Sequence, residues 1–398
     1  MREGWTYKKL GEITKVINGL WIGKKPPLKT VAVIRNTNFT KDCKLSTTNI
    51  AYIDVEEKQF EKRRLLQGDI IIEKSGGSEK QPVGRPILFN LIGGEFSFSN
   101  FTSVIRIDNP NEIISSFLHL ALYGAYLRGE TLKMQAKTTG IHNLDFKAYN
   151  RILIPIPSLQ EQQQIVSELD LLSSVIEKQK AQIEELDKLA QSIFYDMFGD
   201  PVENEKVWEV KKLGEVCVHI TDGDHMPPPK ADKGIPFITI SNIDKDGREI
   251  NFVDTFFVPQ SYYDNLKDER KARQGDVLYT VTGSYGIPVI VVESKPFCFQ
   301  RHIALLRPNN DFLMSQYLCY WALMDSVKQM ADDVATGIAQ KTVGLSSLRK
   351  FMIAVPPLSL QQEFAQKIEV IESMKAKVRQ SLKESEILFN SRMDYYFN

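Results

Sequence analysis

The sequence contains little cysteine and no long apolar run, and each absence excludes a class of protein. Four cysteines among 398 residues, with no C-x-x-C spacing, argue against a disulfide framework and a cysteine-based zinc site. No apolar run approaches the roughly 18 residues that span a bilayer. The first twenty residues lack the apolar core of a signal peptide. These absences predict a protein of the reducing cytoplasm.

Motifs for catalysis are also missing. The sequence has no G-x-x-x-x-G-K-[S/T] phosphate-binding loop, and none of its proline pairs lies in the [N/D]-P-P-[Y/F] frame of amino-methyltransferases. Asp69, Glu73 and Lys74 do not have the spacing of a nuclease carboxylate cluster. The stretch 222–225 (DGDH) is interpreted as a turn with solvated acids in preference to a metal site. We therefore predict no catalytic residues and no metal site in this chain.

The chain has no net charge, with 50 basic and 50 acidic residues, but the charges are unevenly distributed. Residues 1–157 contain 23 Lys and Arg against 15 Asp and Glu, whereas residues 158–198 contain 3 against 8. A basic region is compatible with contact to nucleic acid, and an acidic segment suits a protein partner because phosphates repel it.

What the sequence does contain is an internal duplication with an offset near 200 residues. The phrase "WTYKKLGEI" at Trp5 returns as "WEVKKLGEV" at Trp208, and "QGD" at Gln67 returns at Gln274. The stretch "ILIPIPSLQEQQQI" at Ile152 is answered 199 residues later by "FMIAVPPLSLQQEF". Matches in the same order, at a period far longer than that of solenoid repeats, predict two similar domains.

Each half is predicted to contain a mixed globular part and then a long helix. In the globular part, short β-branched runs alternate with turn-rich loops, which is typical of strands in a compact domain. Apolar spacing predicts further helices at 115–128 and 315–330.

The long helices have clear start signals and apolar stripes. Ser158 and Glu161 form an S-x-x-E capping box, and Ser359 with Gln362 repeats the pattern. The first stripe runs from Ile165 to Met197, and the second is interrupted by Lys375 and Ser385. A helix of about 40 residues is about 60 Å long, which suits a spacer between two domains.

We therefore predict an α+β (mixed) fold with a pseudo-two-fold internal duplication. Two similar β-rich globular domains are separated by two long helices that form an antiparallel coiled coil. The predicted boundaries are 1–157 and 200–357 for the globular domains, 158–199 for the central helix and 358–398 for a C-terminal helix packed on it.

This ordered set of motifs, repeated over nearly the whole chain, resembles the DNA specificity subunit of type I restriction–modification systems. The resemblance implies that the globular domains are target-recognition domains, each reading one half of a split asymmetric DNA site. It also implies that the helices set the gap between half-sites and dock two methyltransferase subunits, which carry restriction–translocation subunits. S-adenosylmethionine, ATP and Mg²⁺ would then be used by those partners, with adenine methylation as one outcome, and this chain would bind none of them.

Specific reading of DNA needs polar side chains at base edges and cations at phosphates, and such residues lie in the loops where the two halves differ. The loop 75–85 (SGGSEKQPVGR) is longer than its counterpart, and its glycines permit close approach to phosphate; a flexible surface loop is the alternative. Tyr285 either stacks on a base or caps the core. The predicted DNA-binding residues are Lys24, Lys25, Arg35, Asn36, Ser75, Ser78, Lys80, Gln81, Arg85, Asn100, Lys137, Thr138, His142, His225, Lys230, Ser241, Asn242, Thr282, Ser284, Tyr285, Gln300, Arg301, His302 and Lys341.

The helices are the predicted docking surface for the methyltransferase, through Gln162, Gln163, Glu168, Gln361 and Gln362. Two other functions stay open: a coiled-coil adaptor without a DNA role, and a chain that is itself a nuclease or methyltransferase. Activity of the purified chain with S-adenosylmethionine or Mg²⁺ would support the enzyme. DNA binding that is absent or independent of salt, with the methyltransferase present, would support the adaptor.

Overall fold

The computed structural model describes residues 2, 4–21, 25–78, 81–138, 141–245, 247–338 and 340–398. The chain forms two compact units: the first unit is Met1–Gln179 with Ser381–Asn398, and the second unit is Lys180–Gln380. Each unit therefore contains one globular region and a segment of both long helices. The four-segment division made from the sequence stays a prediction. Among the described residues, no helix has the length and apolar composition needed to cross a bilayer.

The first unit is built on small sheets of short strands rich in β-branched residues, which suit a pleated and partly buried surface. Its four-stranded antiparallel sheet has the order Thr14–Asn18, Thr102–Ile107, Ile70–Glu73, Pro86–Leu88. Its three-stranded sheet has the order Ala51–Glu56, Leu28–Ile34, Phe96–Phe98, with the last pair parallel. The remaining strands are Gln135–Thr138, Ile141–Leu144 and Ser75–Gly77 in one sheet, and Thr6–Lys9 paired with Leu153–Ile156. The helices of this globular region are Leu10–Ile13, Glu57–Arg63, Ser115–Leu127 and Phe146–Tyr149, with 3₁₀ turns at Asn36–Asn38 and Glu130–Met134.

The second unit repeats this topology, which confirms the predicted duplication. Its four-stranded sheet has the order Cys217–Asp222, Ile303–Pro308, Val277–Thr280, Pro288–Ile290. Its three-stranded sheet has the order Phe256–Val258, Ile235–Ile238, Cys298–Phe299. Two further pairs are Ile243–Asp244 with Glu249–Ile250, and Val210–Lys212 with Met352–Ala354. The helices of this globular region are Leu213–Val216, Gln260–Asp264, Ser315–Trp321, Asp325–Val334 and Leu345–Leu348, with 3₁₀ turns at Ile240–Asn242 and Asp268–Arg270.

The single helix predicted at 315–330 is wrong, although its counterpart at 115–128 is confirmed. The chain forms two helices, Ser315–Trp321 and Asp325–Val334, because Met324 adopts an extended backbone between them. Met324 is 1 % exposed, so the break allows its side chain to enter the core.

The repeated "KKLGE" phrase forms the same element in both units. The lysines end a strand that pairs antiparallel with the strand just before the long helix, Thr6–Lys9 with Leu153–Ile156 and Val210–Lys212 with Met352–Ala354. A one-turn helix follows, and its glutamate accepts from the backbone N–H that precedes the helix, at 3.0 Å in both copies. The motif therefore joins the first strand of each globular region to its last strand.

The repeated "QGD" phrase supplies the buried carboxylate of an ion pair. Asp69 accepts two hydrogen bonds of 2.7 Å from the guanidinium of Arg106 on the neighbouring strand. Asp276 accepts two of 2.8 Å from Arg307 in the second unit. The preceding Gly68 has a φ of +91°, a conformation that other residues rarely adopt. The motif is therefore a scaffold device, as its retention in both copies indicates.

Two long helices, Leu159–Phe198 and Leu358–Phe397, confirm the strongest prediction from the sequence. Glu168 pairs with Arg392 and Gln179 donates to Ser381 in the first unit, so the two helix segments pack antiparallel there. In the second unit Phe194 meets Phe364, with ring centroids 5.6 Å apart.

The apolar stripe differs from its prediction at the end of the central helix. The predicted stripe placed Ile193 and Met197 in the buried seam, where both are only partly buried, and the neighbouring Phe194 and Phe198 are the residues that are 1 % and 2 % exposed. The two rings pack against Tyr317 of the globular region, with centroids 5.5 and 4.8 Å away, so the buried face turns toward that region.

A charged cluster occupies the interruption at Lys375. The Lys375 side chain is fully buried, and its ammonium lies 2.6 Å from Asp187 and 3.0 Å from Glu372. Arg248 of the globular region approaches the same two carboxylates at 2.5 and 3.2 Å, and the Tyr320 hydroxyl donates to Glu372 at 2.6 Å. The charges of two cations and two anions thus cancel within the cluster, and a buried lysine requires such pairing.

Candidate nucleic-acid interface

In the first unit, three loops that contain predicted DNA-binding residues converge with residues 18–21; we call residues 18–21, 35–37, 74–78 and 99–101 the first tip. Leu20 donates its N–H to the Phe98 carbonyl at 2.9 Å, and Ser75 donates to the Phe101 carbonyl at 3.1 Å. The Asn36 amide donates to the Ser75 carbonyl at 2.7 Å. Backbone hydrogen bonds therefore hold loops together that are separated by up to 80 residues in the sequence.

The second unit has an equivalent arrangement; we call residues 222–225, 239–241, 281–285, 300–302, 336–338 and 340–342 the second tip. Gln300 donates its N–H to the Ile238 carbonyl at 3.0 Å, and Val281 donates to the His302 carbonyl at 2.9 Å. The loop with Lys341 joins through its carbonyl, which accepts from the Gly283 N–H at 3.0 Å.

A glycine fixes the close approach of loops in each tip. A Cβ atom placed on Gly19 would lie 1.9 Å from the Ser99 carbonyl oxygen, and one on Gly223 would lie 1.9 Å from that of Phe299. No side chain fits at such a distance, so both positions require glycine.

Most of the predicted DNA-binding residues that the structure describes are accessible at or beside the tips. In the first unit Ser78 and Gln81 are exposed, and Arg35, Asn36, Ser75, Asn100 and His142 are half-buried. In the second unit His225, Ser241, Ser284, Arg301 and Lys341 are exposed, and Gln300 and His302 are half-buried. Lys25 and Lys230 are exposed beside the three-stranded sheets. Lys25 donates its backbone N–H to the Glu56 carboxylate, and the Lys230 ammonium lies 5.2 Å from the centre of the Phe256 ring. Lys24, Lys80 and the side chains of Lys137 and Thr138 lie outside the described residues.

Arg85 is not available to DNA, and its prediction as a contact is corrected. The side chain is 7 % exposed, and its guanidinium donates to both oxygens of Glu73 at 2.7 and 3.1 Å. Burial alone would lower the pKa of Arg85, but the Glu73 carboxylate raises it above the ordinary value. The pair is an internal ion pair of the first unit.

Asn242 and Thr282 are corrected for the same reason. Asn242 is 5 % exposed; its side-chain oxygen accepts from the Thr239 N–H at 2.9 Å and its amide donates to the Asn251 carbonyl at 3.2 Å. Its structural counterpart is Asn38, whose oxygen accepts from the Arg35 N–H at 3.0 Å. Thr282 is 8 % exposed and accepts from the Thr342 hydroxyl at 3.2 Å.

Tyr285 caps the core, which is the second of the two roles considered for it. It packs against the core of the second unit, and its hydroxyl donates to Asp332 at 2.6 Å, which raises the pKa of the tyrosine. A ring held in this way is not free to stack on a base.

His302 is half-buried, and its surroundings favour the neutral imidazole. Desolvation and then the neighbouring Arg301 charge lower the pKa of His302 below its ordinary value of about 6.5. A neutral imidazole offers one donor and one acceptor, which suits the reading of base edges.

The predicted docking residues Gln162 and Gln361 are also corrected, because both are fully buried. The Gln162 amide donates to the carbonyls of Glu112 and Pro157 at 2.9 and 3.0 Å, and its oxygen accepts from the Ile114 N–H at 2.9 Å. Gln361 repeats this pattern in the second unit. Each glutamine clamps the start of a long helix to the loop that precedes an earlier helix of the same unit, Ser115–Leu127 in the first and Ser315–Trp321 in the second.

Among the other docking predictions, Gln163 and Gln362 are exposed, whereas Glu168 is engaged by Arg392 and Tyr396 within the first unit. Sequence reasoning missed the exposed apolar residues of the helices, because a stripe was assigned to burial and the rest to polar surface. Those residues include Leu171, Leu189, Val370, Met374, Ile387 and Leu388.

Phe101 is a further tip residue that the sequence did not single out. Its side chain is 45 % exposed, although its backbone carbonyl is part of the framework of the first tip. An aromatic residue beside a strand is usually interpreted as core, so only the structure identifies it. Among the described residues, no group of three or more His, Cys, Asp or Glu side chains is arranged to hold a metal ion.

Comparison with known proteins decides the family. The model for the type I restriction modification DNA specificity domain matches residues 2–188 and 205–384, which are the two repeats. The chain belongs to the type I restriction–modification DNA specificity family. Its role is therefore DNA sequence specificity.

Curated members of the family match over most of the chain. The putative type I restriction enzyme MjaX specificity subunit of Methanocaldococcus jannaschii is 24 % identical over 392 residues, covering 94 % of this chain and 88 % of that protein. The EcoKI specificity subunit of Escherichia coli is 23 % identical over 394 residues, covering 92 % and 82 %.

Solved structures of the family share the fold. A chain from the type I R-M system matches with a TM-score of 0.56 and 20 % identity, covering 100 % of this chain and 98 % of that one. The S subunit from M. genitalium matches with a TM-score of 0.53 and 14 % identity, covering 99 % and 96 %.

Proposed function

We propose that this chain reads a bipartite, asymmetric DNA site, with one half-site bound by each tip. The observation that supports this proposal is a shared backbone framework with different side chains at corresponding positions. Ile34 pairs with Phe98 in the first unit, and Ile238 pairs with Phe299 in the same parallel manner in the second unit. The residues that follow these strands therefore correspond in pairs: Arg35 with Thr239, Asn36 with Ile240, Ser99 with Gln300, Asn100 with Arg301, and Phe101 with His302.

The chemistry of these side chains suits two different base sequences. Asparagine and glutamine pair with adenine, arginine pairs with guanine, and apolar groups contact the thymine methyl. The first tip offers two asparagines and an exposed ring, whereas the second offers Gln300, Arg301 and His302. Two tips with unlike reading groups favour a non-palindromic target, in contrast to the symmetric operators of homodimers.

We also propose that the chain supplies no chemistry and directs partner subunits to DNA. Two methyltransferase subunits would methylate adenine with S-adenosylmethionine, and restriction–translocation subunits bound through them would use ATP and Mg²⁺. Because the DNA to be modified lies in the cytoplasm of a bacterial or archaeal cell, we place the complex there. Exposed apolar residues on the helices, such as Leu171 and Ile387 in the first unit and Val370 and Met374 in the second, are the proposed contacts to these partners.

The test is to map methylated sites in cells that express this chain with its methyltransferase subunit. We expect a split motif with a few specified bases on each side of a gap. Replacing residues 67–106 with those of a relative should change one half of the motif, and replacing the matched segment 274–307 should change only the other half.

Absence of any methylated motif would overturn the proposal, provided that the same methyltransferase is active with another specificity chain. That result would favour a coiled-coil adaptor. Methylation or cleavage by the purified chain alone would instead support the enzyme interpretation.

A further inference from the structure

An apolar cavity opens at the first tip. Its volume is about 330 Å³, at the lower end of the range of ligand pockets. The floor is the outer face of the three-stranded sheet, where Val33 and Val55 lie, with Leu20 beside them. The inner face of the same sheet is covered by the core, through Ile34 and Phe98. The side chains of Val33, Val55 and Leu20 are buried, and the exposed apolar area of the cavity comes from Phe101, which is 45 % exposed, and from the half-buried Ile53.

The rim of the cavity is formed by groups that recognise bases. Arg35, Asn36, Ser99, Asn100 and Phe101 line it. Arg35 Nε, Asn36 Oδ1 and Ser99 Oγ are shielded from solvent and have no hydrogen-bond partner among the described residues. Shielded polar atoms without partners are rare in folded proteins, and a bound ligand is one way to satisfy them. The cavity thus combines an apolar floor with donors and acceptors at its edge.

The occupant suggested by this combination is an edge of a base pair. The half of the chain that contains the cavity is basic, with 23 Lys and Arg against 15 Asp and Glu in residues 1–157, which favours a phosphate-bearing partner. In the major groove, thymine is the base that presents an apolar group, its C5 methyl, next to hydrogen-bonding atoms of the same pair. An apolar floor beside asparagine side chains matches a T·A pair.

The second tip differs at the same positions. Phe101 is replaced by His302, Asn100 by Arg301 and Leu20 by Asp224. At these positions the second tip therefore presents charged and polar groups to a base, where the first tip presents the apolar side chains of Phe101 and Leu20. A methyl-reading cavity would therefore belong to the first half-site alone.

We propose that the cavity at the first tip binds the C5 methyl of a thymine, so that the first half-site contains a T·A pair read by methyl contact against Phe101. The inference rests on the proposed DNA-reading function. It names one base of the target and the residue that selects it.

The experiment uses the complex of this chain with its methyltransferase subunit and duplexes that contain the mapped site. Each thymine is replaced singly by deoxyuridine, which removes the methyl group and keeps every hydrogen-bonding group. We expect one thymine in the first half-site at which affinity falls about fourfold, as burial of a single methyl group suggests. Thymines in the second half-site should be insensitive.

Two variants assign the effect to the cavity. Phe101→Ala should bind thymine and deoxyuridine duplexes equally, and its loss of affinity for the thymine duplex should match the wild-type loss for deoxyuridine. The control is Tyr52→Ala, since Tyr52 is 73 % exposed on the same sheet but does not line the cavity; it should retain the fourfold discrimination.

The possible outcomes separate the two proposals. A first half-site without a T·A pair, or with thymines that are all insensitive to deoxyuridine, overturns the cavity proposal and leaves the specificity function standing. Discrimination that persists in Phe101→Ala also overturns it. Absence of any methylated motif would instead remove the function on which it rests.

Discussion

At the scale of single residues, burial separates reading residues from scaffold residues that have the same chemistry. Arg85 and Arg301 are both arginines in predicted loops, yet Arg85 is enclosed with Glu73 whereas Arg301 is exposed. Asn242 and Asn100 differ in the same way, because Asn242 closes a turn through its own side chain. Residue type alone suggests contact with DNA for all four, and only their surroundings show which two are accessible.

His119 gives the first unit a stability that depends on pH. Its ring stacks on Tyr123 and lies 3.3 Å from the Pro86 carbonyl, and desolvation lowers the pKa of His119 to about 4. In the unfolded chain the pKa of this histidine is about 6.5. The stability that the first unit gains from the buried neutral ring is therefore complete above pH 6.5 and is lost as the pH falls toward 4. At pH 5 we expect a loss of about 2 kcal/mol relative to pH 7.5.

Hydrogen exchange of the amides in Ser115–Leu127 measures this loss locally. His119→Gln should remove most of the difference between pH 7.5 and pH 5. His225→Gln, at an exposed histidine of the second unit, should leave it unchanged. An equal pH dependence in His119→Gln and the wild type would contradict the assignment.

At the scale of elements, the glutamine clamp joins each long helix to its own globular region. In the second unit Gln361 accepts from the Met314 N–H at 2.8 Å and donates to the carbonyls of Phe312 and Pro356 at 2.8 and 2.9 Å. The Gln361→Leu change would leave these buried groups unpaired, so we expect a loss of about 2–4 kcal/mol in stability.

The neighbouring Gln362 provides a matched control for this prediction. It is exposed, and Gln362→Leu should change stability by no more than about 0.5 kcal/mol. Thermal unfolding, with hydrogen exchange in Ser315–Trp321 to locate the effect, compares the two variants. Similar losses in both would show that the clamp does not stabilise the helix start.

The elements that the sequence predicts well are those with local signals. The capping box is one: the Ser158 N–H donates to Glu161 at 3.1 Å, and the Glu161 N–H donates to the Ser158 hydroxyl at 3.3 Å. The box predicted at Ser359 is wrong, because the second helix already begins at Leu358. The burial of Gln162 could not be predicted, since its partners at 112 and 114 lie about 50 residues away in the chain.

The tips illustrate the same limit. Their loops were predicted from turn-rich composition and from divergence between the repeats, and the structure brings those loops together. Which side chains remain accessible depends on bonds such as that of Thr282 with Thr342, 60 residues apart. Composition carries no information on such pairs.

At the scale of the whole molecule, electrostatics predicts that this chain depends on partners to hold DNA. Its 50 basic and 50 acidic residues leave the chain without net charge, so long-range attraction to the phosphates of DNA is weak for the chain as a whole. We expect the isolated chain to bind its target at least tenfold more weakly than the complex with the methyltransferase subunit, in the same buffer.

Titration of a labelled target duplex at 50 and 200 mM salt measures this difference. The complex should also lose more affinity with salt than the chain alone, because added positive surface contacts more phosphates. Equal affinities and equal salt slopes would show that this chain already supplies the phosphate contacts.

The framework of each tip also has a consequence for how new specificities arise. Several of the bonds that shape the loops run between main-chain atoms, as from Leu20 to Phe98 and from Gln300 to Ile238. Such bonds do not depend on which side chain a residue carries, so neighbours such as Asn100 and Arg301 are free to drift without loss of fold. Gly19 and Gly223 are exceptions, because any side chain there would strike a carbonyl oxygen. Mutation can thus explore new target sequences on an unchanged backbone, with those glycines among the fixed points.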